Sequence, residues 1–314
     1  MLKVMLSVYQ LLLLVAAAPL LVGVIKKTKA FFQSRQGPSI WQPYYDLSKL
    51  MNKESVISEH ASWIFRITPY IYLGSMLVIA FLVPVASTGG GGAFTGDIIL
   101  IIYLLALARF FLALAGLDAG SAFGGMASSR EAALSSVAEP AMMLPLFTMA
   151  LAAGTTNLTA IVAGVAQAGF AVLTPTHLMS LGALFVVAIA ETGRIPVDNP
   201  DTHLELTMIH EGMLLEYSGK PLALLTLGAA LKQIVIFALV ANIFFPWGIA
   251  LDSGLGSIAV GTGVFILKVF VLGIIMAIIE TSLGKMRLFK VPDLLTGAFL
   301  LGLLGLITNF LLRR

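Results

Sequence analysis

The feature that most constrains this chain is a series of eight apolar stretches, each close to the length that crosses a bilayer. A spanning helix needs roughly 20 consecutive apolar residues. The stretches cover approximately residues 4–25, 64–86, 96–116, 134–154, 175–192, 221–246, 256–282 and 292–312. Only 11% of the 314 residues are charged, whereas a soluble domain carries about a quarter. We therefore predict an all-α integral membrane protein with about eight transmembrane helices in a single membrane domain, residues 1–314.

The fifth stretch is the shortest, and an apolar segment at residues 158–172 lies just before it. Because that segment is short and interrupted by Gly164 and Gly169, we expect an interfacial piece, although it could instead extend the fifth helix. Cysteine is absent, so a disulfide framework or a cysteine-held iron–sulfur cluster in this chain is excluded. The four histidines show no convincing metal-ligand spacing, so no metal is expected. A net charge of +3 does not suggest nucleic-acid binding.

Basic residues are concentrated in alternate loops. Lys and Arg occur after the first, fifth and seventh stretches and before the fourth, and they are absent from residues 87–95, 155–174 and 247–254. Loops rich in Lys and Arg remain on the inner side of a membrane. The distribution predicts that both termini face outward and that the basic loops face inward.

An amphipathic helix is predicted after the first span, at residues 41–54. Pro43 suits the first turn of a helix, where a missing N–H costs little. Polar and apolar residues then follow on separate faces at helical spacing. Such a helix either simply rests on the membrane surface or forms the lip of a pocket at the membrane boundary; the sequence leaves both open.

The inner loop after the fifth span, residues 193–220, is unusually acidic. Thr202 followed by Glu205 fits a capping box, which predicts a short helix with Glu205 and Glu216 on one face and His203 and His210 on another. The acids of this region are Glu191, Asp198, Asp201, Glu205, Glu211 and Glu216. The alternatives are a functional loop beside the membrane and a solvated loop bound by a partner protein.

Ionisable residues also fall inside the predicted spans. Arg109, Lys232 and Lys268 lie in span interiors, and Glu139, Glu191 and Glu280 lie nearer the inner ends. Each charge at the centre of a bilayer costs roughly 2.5–3.5 kcal/mol on insertion scales, so these groups should face one another or water. Each could be a structural ion pair. Together they predict a polar path for protons from the inner surface into the bilayer.

At these residues the chain resembles the complex I subunit 1 family, the membrane heel subunit of respiratory NADH:quinone oxidoreductase. The matching segments are spread over nearly the whole chain and keep their order: Arg35–Leu50, Gly116–Gly120, Ser129–Ala133 with Glu139, Glu191–Asp198, Glu216–Gly219 and Arg287 with Asp293–Leu295. The segment Asn199–Glu211 departs from the respiratory version. It is closer to the membrane subunit of group 4 nickel–iron (NiFe) hydrogenases of the hydrogenase-4 and formate hydrogenlyase type.

The resemblance implies a membrane-anchoring and energy-coupling subunit in the inner (cytoplasmic) membrane. It implies iron–sulfur and hydrogenase-like large subunits docked on the inner face, antiporter-like membrane subunits beside it, and no cofactor in this chain, with quinone possible. The implied site residues are a chamber lip (Arg35, Gln42, Asp46, Lys49), a coupling loop (Arg194, Asp198, Glu205, Glu211, Glu216), a proton path (Glu139, Glu191, Lys232, Lys268, Glu280) and structural charges (Arg109, Arg130, Arg287, Asp293).

Three other functions remain open from the sequence. The chain could be a quinone-binding subunit of a respiratory quinone reductase, a stand-alone ion transporter, or a purely structural anchor. The first would bind quinone, the second would transport ions without partners, and the third would keep coupled turnover unchanged when Glu139, Glu205 and Glu216 are each replaced by glutamine.

Overall fold

The chain is a bundle of ten α-helices within the residues that the computed structural model describes, which are 2–89, 97–199, 208–251 and 254–312. The helices are α1 (Leu2–Phe32), α2 (Gln42–Met51), α3 (Trp63–Leu82), α4 (Asp97–Asp118), α5 (Ala122–Ala153), α6 (Leu158–Ala168), α7 (Pro175–Glu191), α8 (Gly219–Phe244), α9 (Leu255–Ser282) and α10 (Val291–Leu312). Short 3-10 turns occupy Gly169–Val172, Glu211–Leu214 and Leu288–Lys290. Within these described ranges, seven helices are long and apolar enough to cross a membrane, which confirms an all-α integral membrane protein.

The fifth predicted span corresponds to α7, which has 17 residues and is shorter than the seven others. At about 1.5 Å per residue it is about 26 Å long, slightly less than a typical hydrocarbon core. The segment before it does not extend it. α6 ends at Ala168, and its C-cap residue Gly169 has a positive φ of 59°. Thr174 then caps the start of α7 by accepting the N–H of His177 at 3.3 Å. The alternative of one continuous fifth helix is therefore wrong.

The loops that the sequence assigns to the inner side gather at one end of the bundle, here called the basic end. The N–H of Met286 donates to the carbonyl of Pro196 at 2.9 Å, which joins the loop after α9 to the loop after α7. The N–H of Val56 donates to the hydroxyl of Ser218 at 2.8 Å, which joins the α2–α3 loop to the start of α8. These bonds connect segments that are far apart in sequence.

The loops without basic residues meet at the opposite end. The N–H of Thr88 donates to the carbonyl of Ala250 at 3.0 Å. The rings of Phe170 and Trp247 lie 4.8 Å apart. Since Phe170 precedes α7 at this end and Pro196 follows it at the basic end, α7 passes from one end of the bundle to the other.

Two helices extend beyond the predicted spans, and two are shorter than predicted, since α3 ends at Leu82 rather than near 86 and α2 is also short. α5 begins at Ala122 rather than near 134, and α1 continues to Phe32 rather than ending near 25. α2 ends at Met51 rather than 54. Hydropathy detects only the part of a helix that is apolar, whereas the helices α1 and α5 continue into polar sequence at the basic end. These extensions carry residues of the candidate site.

α8 is the central helix of the bundle, and α9 and α10 lie at its periphery. In the most apolar stretch of each helix, 72% of α8 is buried, against 28% of α9 and of α10. α2 lies across α1 and α8 at the basic end, and the Tyr44 hydroxyl donates to the carbonyl of Ala16. Gly23 is required there, because a Cβ at this position would overlap the carbonyl oxygen of Ile40.

Candidate functional site

Arg109 of α4 and four other ionisable side chains, which come from three further helices, lie in contact with one another. Its guanidinium reaches Glu131 at 3.3 Å and Glu139 at 2.8 Å, both on α5, and also bonds Glu191 at the end of α7. The ammonium of Lys232 on α8 lies 2.8 Å from the second oxygen of Glu191. We call these five residues the Arg109 cluster. Four of them are nearly fully buried, and the Glu139 side chain is 33% exposed.

The Arg109 cluster lies well inside the bundle. Arg109 is nine residues before Asp118, the last residue of α4, which places it about 14 Å along the helix from the basic end. Buried charges at this depth are tolerated only when they are paired and hydrogen-bonded. The planar guanidinium of Arg109 provides five donors in a fixed geometry, which explains how one side chain serves three carboxylates.

A second buried group surrounds Glu280, near the end of α9. Its carboxylate lies 3.2 Å from the ammonium of Lys29 on α1 and 3.3 Å from the guanidinium of Arg194 in the loop after α7. Arg194 also donates to the side-chain carbonyl of Gln233 at 2.7 Å. We call Lys29, Arg194, Gln233 and Glu280 the Glu280 cluster. Gln233 follows Lys232 on α8, so the two clusters adjoin.

His210 connects the loop after α7 to the Arg109 cluster. Its Nε2 lies 3.5 Å from Glu131, and its Nδ1 lies 3.5 Å from Asp198. Asp198 in turn bonds Lys285 at 2.8 Å and accepts the backbone N–H of Ile209 at 3.2 Å. The imidazole therefore lies between a carboxylate of the loop and a carboxylate of the bundle.

The charges of this network balance only when His210 is protonated. Four acids and four bases are then linked by ion pairs: Glu131, Glu139, Glu191, Asp198, Arg109, Lys232, His210 and Lys285. Burial alone would lower the pKa of His210, but the carboxylates of Glu131 and Asp198 outweigh it and raise this pKa above 6.5. Burial opposes ionisation of Asp198 too, but the bonds from His210 and Lys285 hold its pKa well below the usual range.

We expect the stability of the protein to fall as pH rises above 6.5 and protonated His210 is lost. A raised folded-state pKa contributes stability that is fully present below the unfolded value of 6.5 and disappears as pH rises through the folded value. Tryptophan-fluorescence melting in mild detergent from pH 6 to 9 measures this. His210→Gln should flatten the decline, whereas His60→Gln, at an exposed loop position, should keep it. An unchanged decline in His210→Gln would contradict this assignment.

Gly193 sets the position of His210. It has a φ of +60°, and a Cβ there would lie 2.9 Å from Nδ1 of His210. Gly193→Ala should therefore destabilise the protein by about 1–3 kcal/mol through the left-handed backbone conformation, and it should also displace the imidazole. Melting temperature checks the first effect. Gly74→Ala is the matched control, because a Cβ at Gly74 meets no atom within 4 Å; equal melting temperatures would exclude the steric role of Gly193.

Two adjoining cavities join the surface helix to the Arg109 cluster. The outer cavity, of about 220 Å³, lies between α1, α2 and α8, and Asp46, Arg194 and Gln233 are on its wall. The inner cavity, of about 90 Å³, borders Glu191 and Lys232. Thr192, Glu211 and Ala229 line both. At about 30 Å³ per molecule, the cavities have room for roughly seven and three waters.

Of the predicted chamber-lip residues, Asp46 lines the outer cavity. The side-chain amide of Gln42 donates a hydrogen bond to the Asp46 carboxylate at 2.8 Å. Arg35 and Lys49 are exposed and are not among the residues of the cavity wall. The amphipathic helix therefore provides one cavity-lining acid from its polar face. The proposed lip is thus narrower than the four residues that the resemblance implied.

In the acidic loop, Arg194 and Asp198 are buried at the site, Glu211 lines both cavities, and Glu216 is exposed. Glu205 and the proposed capping box lie outside the described residues. The predicted helix does not extend to Glu216, because the chain from Glu211 to Leu214 forms only a 3-10 turn. His210 and Glu216 therefore do not share a regular α-helix, and that part of the prediction is wrong.

Of the proton-path residues, Lys268 is the exception. Glu139, Glu191 and Lys232 belong to the Arg109 cluster and Glu280 to the adjoining one, whereas Lys268 forms no ion pair or hydrogen bond within the described part of the chain.

Among the structural charges, Arg109 is the centre of its cluster, and Arg130 donates to the carbonyl of Met208 at 2.9 Å. Arg287 and Asp293 are exposed.

Several site residues were not among the candidates from the sequence: Lys29, Glu131, His210, Gln233 and Lys285. In the sequence, Lys29 and Lys285 are recognisable only as basic residues that follow the first and seventh apolar stretches. Glu131 precedes the predicted fourth span, although it lies within a matching segment of the resemblance. Extending α1 and α5 by a few turns would have placed Lys29 and Glu131 inside the bundle.

The family model for NADH dehydrogenase matches residues 4–310 of this chain. The chain belongs to this family. Within the NADH dehydrogenase family it is 35% identical to formate hydrogenlyase subunit 4 of Escherichia coli K12 over 95% of each chain. It is 37% identical to hydrogenase-4 component C of the same organism, over 90% of this chain and 89% of the relative. These names confirm the resemblance drawn from the matching segments.

The fold of this family member also matches a solved structure. A chain in the structure of the membrane-bound sulfane sulfur reductase, an archaeal respiratory membrane complex, superposes with a TM-score of 0.83. The match covers 96% of this chain and 98% of the other at 19% identity, so it concerns the fold alone. The relatives are components of multi-subunit membrane complexes. This chain is therefore a multi-pass membrane protein of a family whose members are subunits of such complexes.

Proposed function

We propose that this chain is the membrane-anchoring and energy-coupling subunit of a complex-I-like hydrogenase. In this proposal, an iron–sulfur and nickel–iron arm docks at the basic end, which faces the cytoplasm, and antiporter-like membrane subunits lie beside the bundle. The chain passes a change of charge at the arm to proton or sodium movement in its neighbours. The relatives named formate hydrogenlyase subunit 4 and hydrogenase-4 component C support the assignment to a hydrogenase-type complex.

The observation that carries the proposal is a polar route from the basic end into the bundle. It begins at Asp46, passes through the two cavities, and reaches the Glu191 carboxylate. There Arg109 holds the Glu191 carboxylate beside that of Glu139, whose side chain is one-third exposed. A chain of carboxylates joined by water can hold and release protons when nearby charge changes.

His210 gives the loop a way to influence this route. When the imidazolium is present, it lies between Glu131 and Asp198 and screens one carboxylate from the other. Loss of its proton leaves the Arg109 cluster with excess negative charge, which raises the proton affinity of the neighbouring carboxylates. A redox partner that moves or deprotonates His210 would thereby shift protons within the bundle.

The contents of the two cavities distinguish the hydrogenase proposal from the quinone-reductase alternative. The quinone-reductase alternative predicts that quinone copurifies with the assembly and that quinone-site inhibitors slow turnover. The hydrogenase proposal predicts neither.

Purification of the intact assembly in mild detergent tests the proposed function. We expect a large nickel–iron subunit, iron–sulfur subunits and antiporter-like subunits to copurify, and the assembly to evolve or oxidise hydrogen. A copurifying NADH-oxidising arm with bound quinone would overturn the hydrogenase assignment. Ion transport by the purified chain alone in liposomes would favour the stand-alone transporter.

A further inference from the structure

Lys268 of α9 is a charge in an apolar surface that the described chain does not neutralise. It is residue 14 of a 28-residue helix, so it lies about 20 Å along the helix from either end. The hydrocarbon core extends about 15 Å from its centre to each boundary. Lysine at the middle of a span therefore has no short path to water.

The surroundings of Lys268 on α9 are entirely apolar. Residues three, four and seven positions away share its side of the helix, and they include Val264, Val271 and Ile275. Val271 is 46% exposed and Ile275 is 38% exposed, while Lys268 and Val264 are half-buried. We call Val264, Lys268, Val271 and Ile275 the Lys268 stripe.

The described part of the bundle covers this stripe only in part, because Val264 lies beside Gly248 whereas Val271 and Ile275 remain exposed. The helix α9 packs on α1 and α8 through the adjacent face, where Val269, Gly273 and Met276 are buried. The acid of α9 that is buried, Glu280, is already paired with Lys29 and Arg194. Helix surfaces that face only lipid have no use for an ammonium group, because lipid tails cannot solvate it.

We infer that the Lys268 stripe is the docking surface for a transmembrane helix of a neighbouring membrane subunit, and that this helix carries an Asp or Glu that pairs with Lys268 at the bilayer centre. Charge complementarity selects this occupant. A helix with a carboxylate at that depth has the same difficulty in lipid as the lysine, and pairing removes both. A second copy of this chain fits less well, since the same stripe would place Lys268 against Lys268.

The inference extends the proposed function from the basic end to a lateral surface. It also separates two roles for buried charge in this chain. The Arg109 cluster pairs its own acids and bases, whereas Lys268 pairs across an interface. Loss of the Lys268 pair would therefore weaken assembly while leaving the Arg109 cluster intact.

A site-specific photocrosslinker tests the surface with Lys268 unchanged. Benzoylphenylalanine at Val271 or Ile275 should give an adduct with a different membrane subunit in the native membrane, and the captured peptide should contain an Asp or Glu. The same group at Leu300 of α10, which is 52% exposed, is the control for random capture. An adduct with a second copy of this chain, or with lipid alone, would overturn the inference.

Substitution of Lys268 then tests the pair itself. Lys268→Met should reduce copurification of the captured subunit at least about ten-fold. Lys268→Glu should reduce it too, and changing the acid of the captured helix to Lys should then restore copurification. Lys290→Met, at an exposed residue of the basic end, should have no effect. Unchanged copurification in Lys268→Met would contradict the pair. If the assembly still evolves hydrogen while the crosslink fails, only this inference fails and the proposed function stands.

Discussion

Replacing Arg109 with methionine should destabilise the protein by about 3–5 kcal/mol, the usual cost of removing one partner from a buried ion pair. The substitution keeps an apolar chain of similar length but leaves the carboxylates of Glu131, Glu139 and Glu191 without their shared cation. Lys232 neutralises only one of the three. Melting followed by tryptophan fluorescence in mild detergent measures the loss.

Two further variants separate charge from geometry at this position. Arg109→Lys retains the charge but cannot reach three carboxylates with one ammonium, so we expect stability between that of the wild type and Arg109→Met. Arg287→Met, at an exposed residue, should stay within about 0.5 kcal/mol of the wild type. If Arg109→Met were as stable as Arg287→Met, the cluster would not contribute to the fold.

Glu191→Gln should slow ion movement by the assembly on the order of 100-fold, the low end of what a positioned proton-transfer group contributes to a rate. Glutamine has nearly the same shape and keeps an oxygen that accepts from Arg109, but it cannot gain or lose a proton at neutral pH. Glu191 lies where the inner cavity meets the Arg109 cluster. Its loss therefore interrupts the route between Asp46 and Glu139.

The measurement uses sealed membrane vesicles that contain the whole assembly, with redox turnover and ion movement recorded together. Hydrogen turnover should persist in Glu191→Gln while ion movement is lost. Glu191→Asp should keep part of the ion movement, because this variant retains a carboxylate. Glu59→Gln, at an exposed loop residue, should behave as the wild type. Parallel losses of turnover and ion movement in Glu191→Gln would instead indicate a structural role.

The sequence predicted the membrane class and most helix positions because length and apolarity determine them directly. It placed Glu139, Glu191 and Lys232 near one another only in general terms, since a carboxylate inside a span must find a partner. It did not reveal that Arg109 is that partner for three acids. That arrangement depends on how α4, α5 and α7 are rotated, and hydropathy does not report rotation.

Glu131 and Lys29 show the limit of hydropathy more clearly. Both lie in helical turns beyond the apolar part of their helices, where the sequence looks like a loop. Lys268 shows the opposite error. It lies in a strongly apolar span like Lys232, but α8 is enclosed by the bundle and α9 is peripheral. Only the packing distinguishes a lysine that joins an internal cluster from one on the outer surface.

Redox-induced infrared difference spectroscopy tests the central claim most directly, namely that redox change in the partner alters protonation within the Arg109 cluster. We expect the wild-type assembly to show a carbonyl-stretch band of a protonated carboxyl group that appears or disappears on reduction. The band should be missing in Glu191→Gln and retained in Glu59→Gln. An identical difference spectrum in the wild type and in Glu191→Gln would contradict the claim.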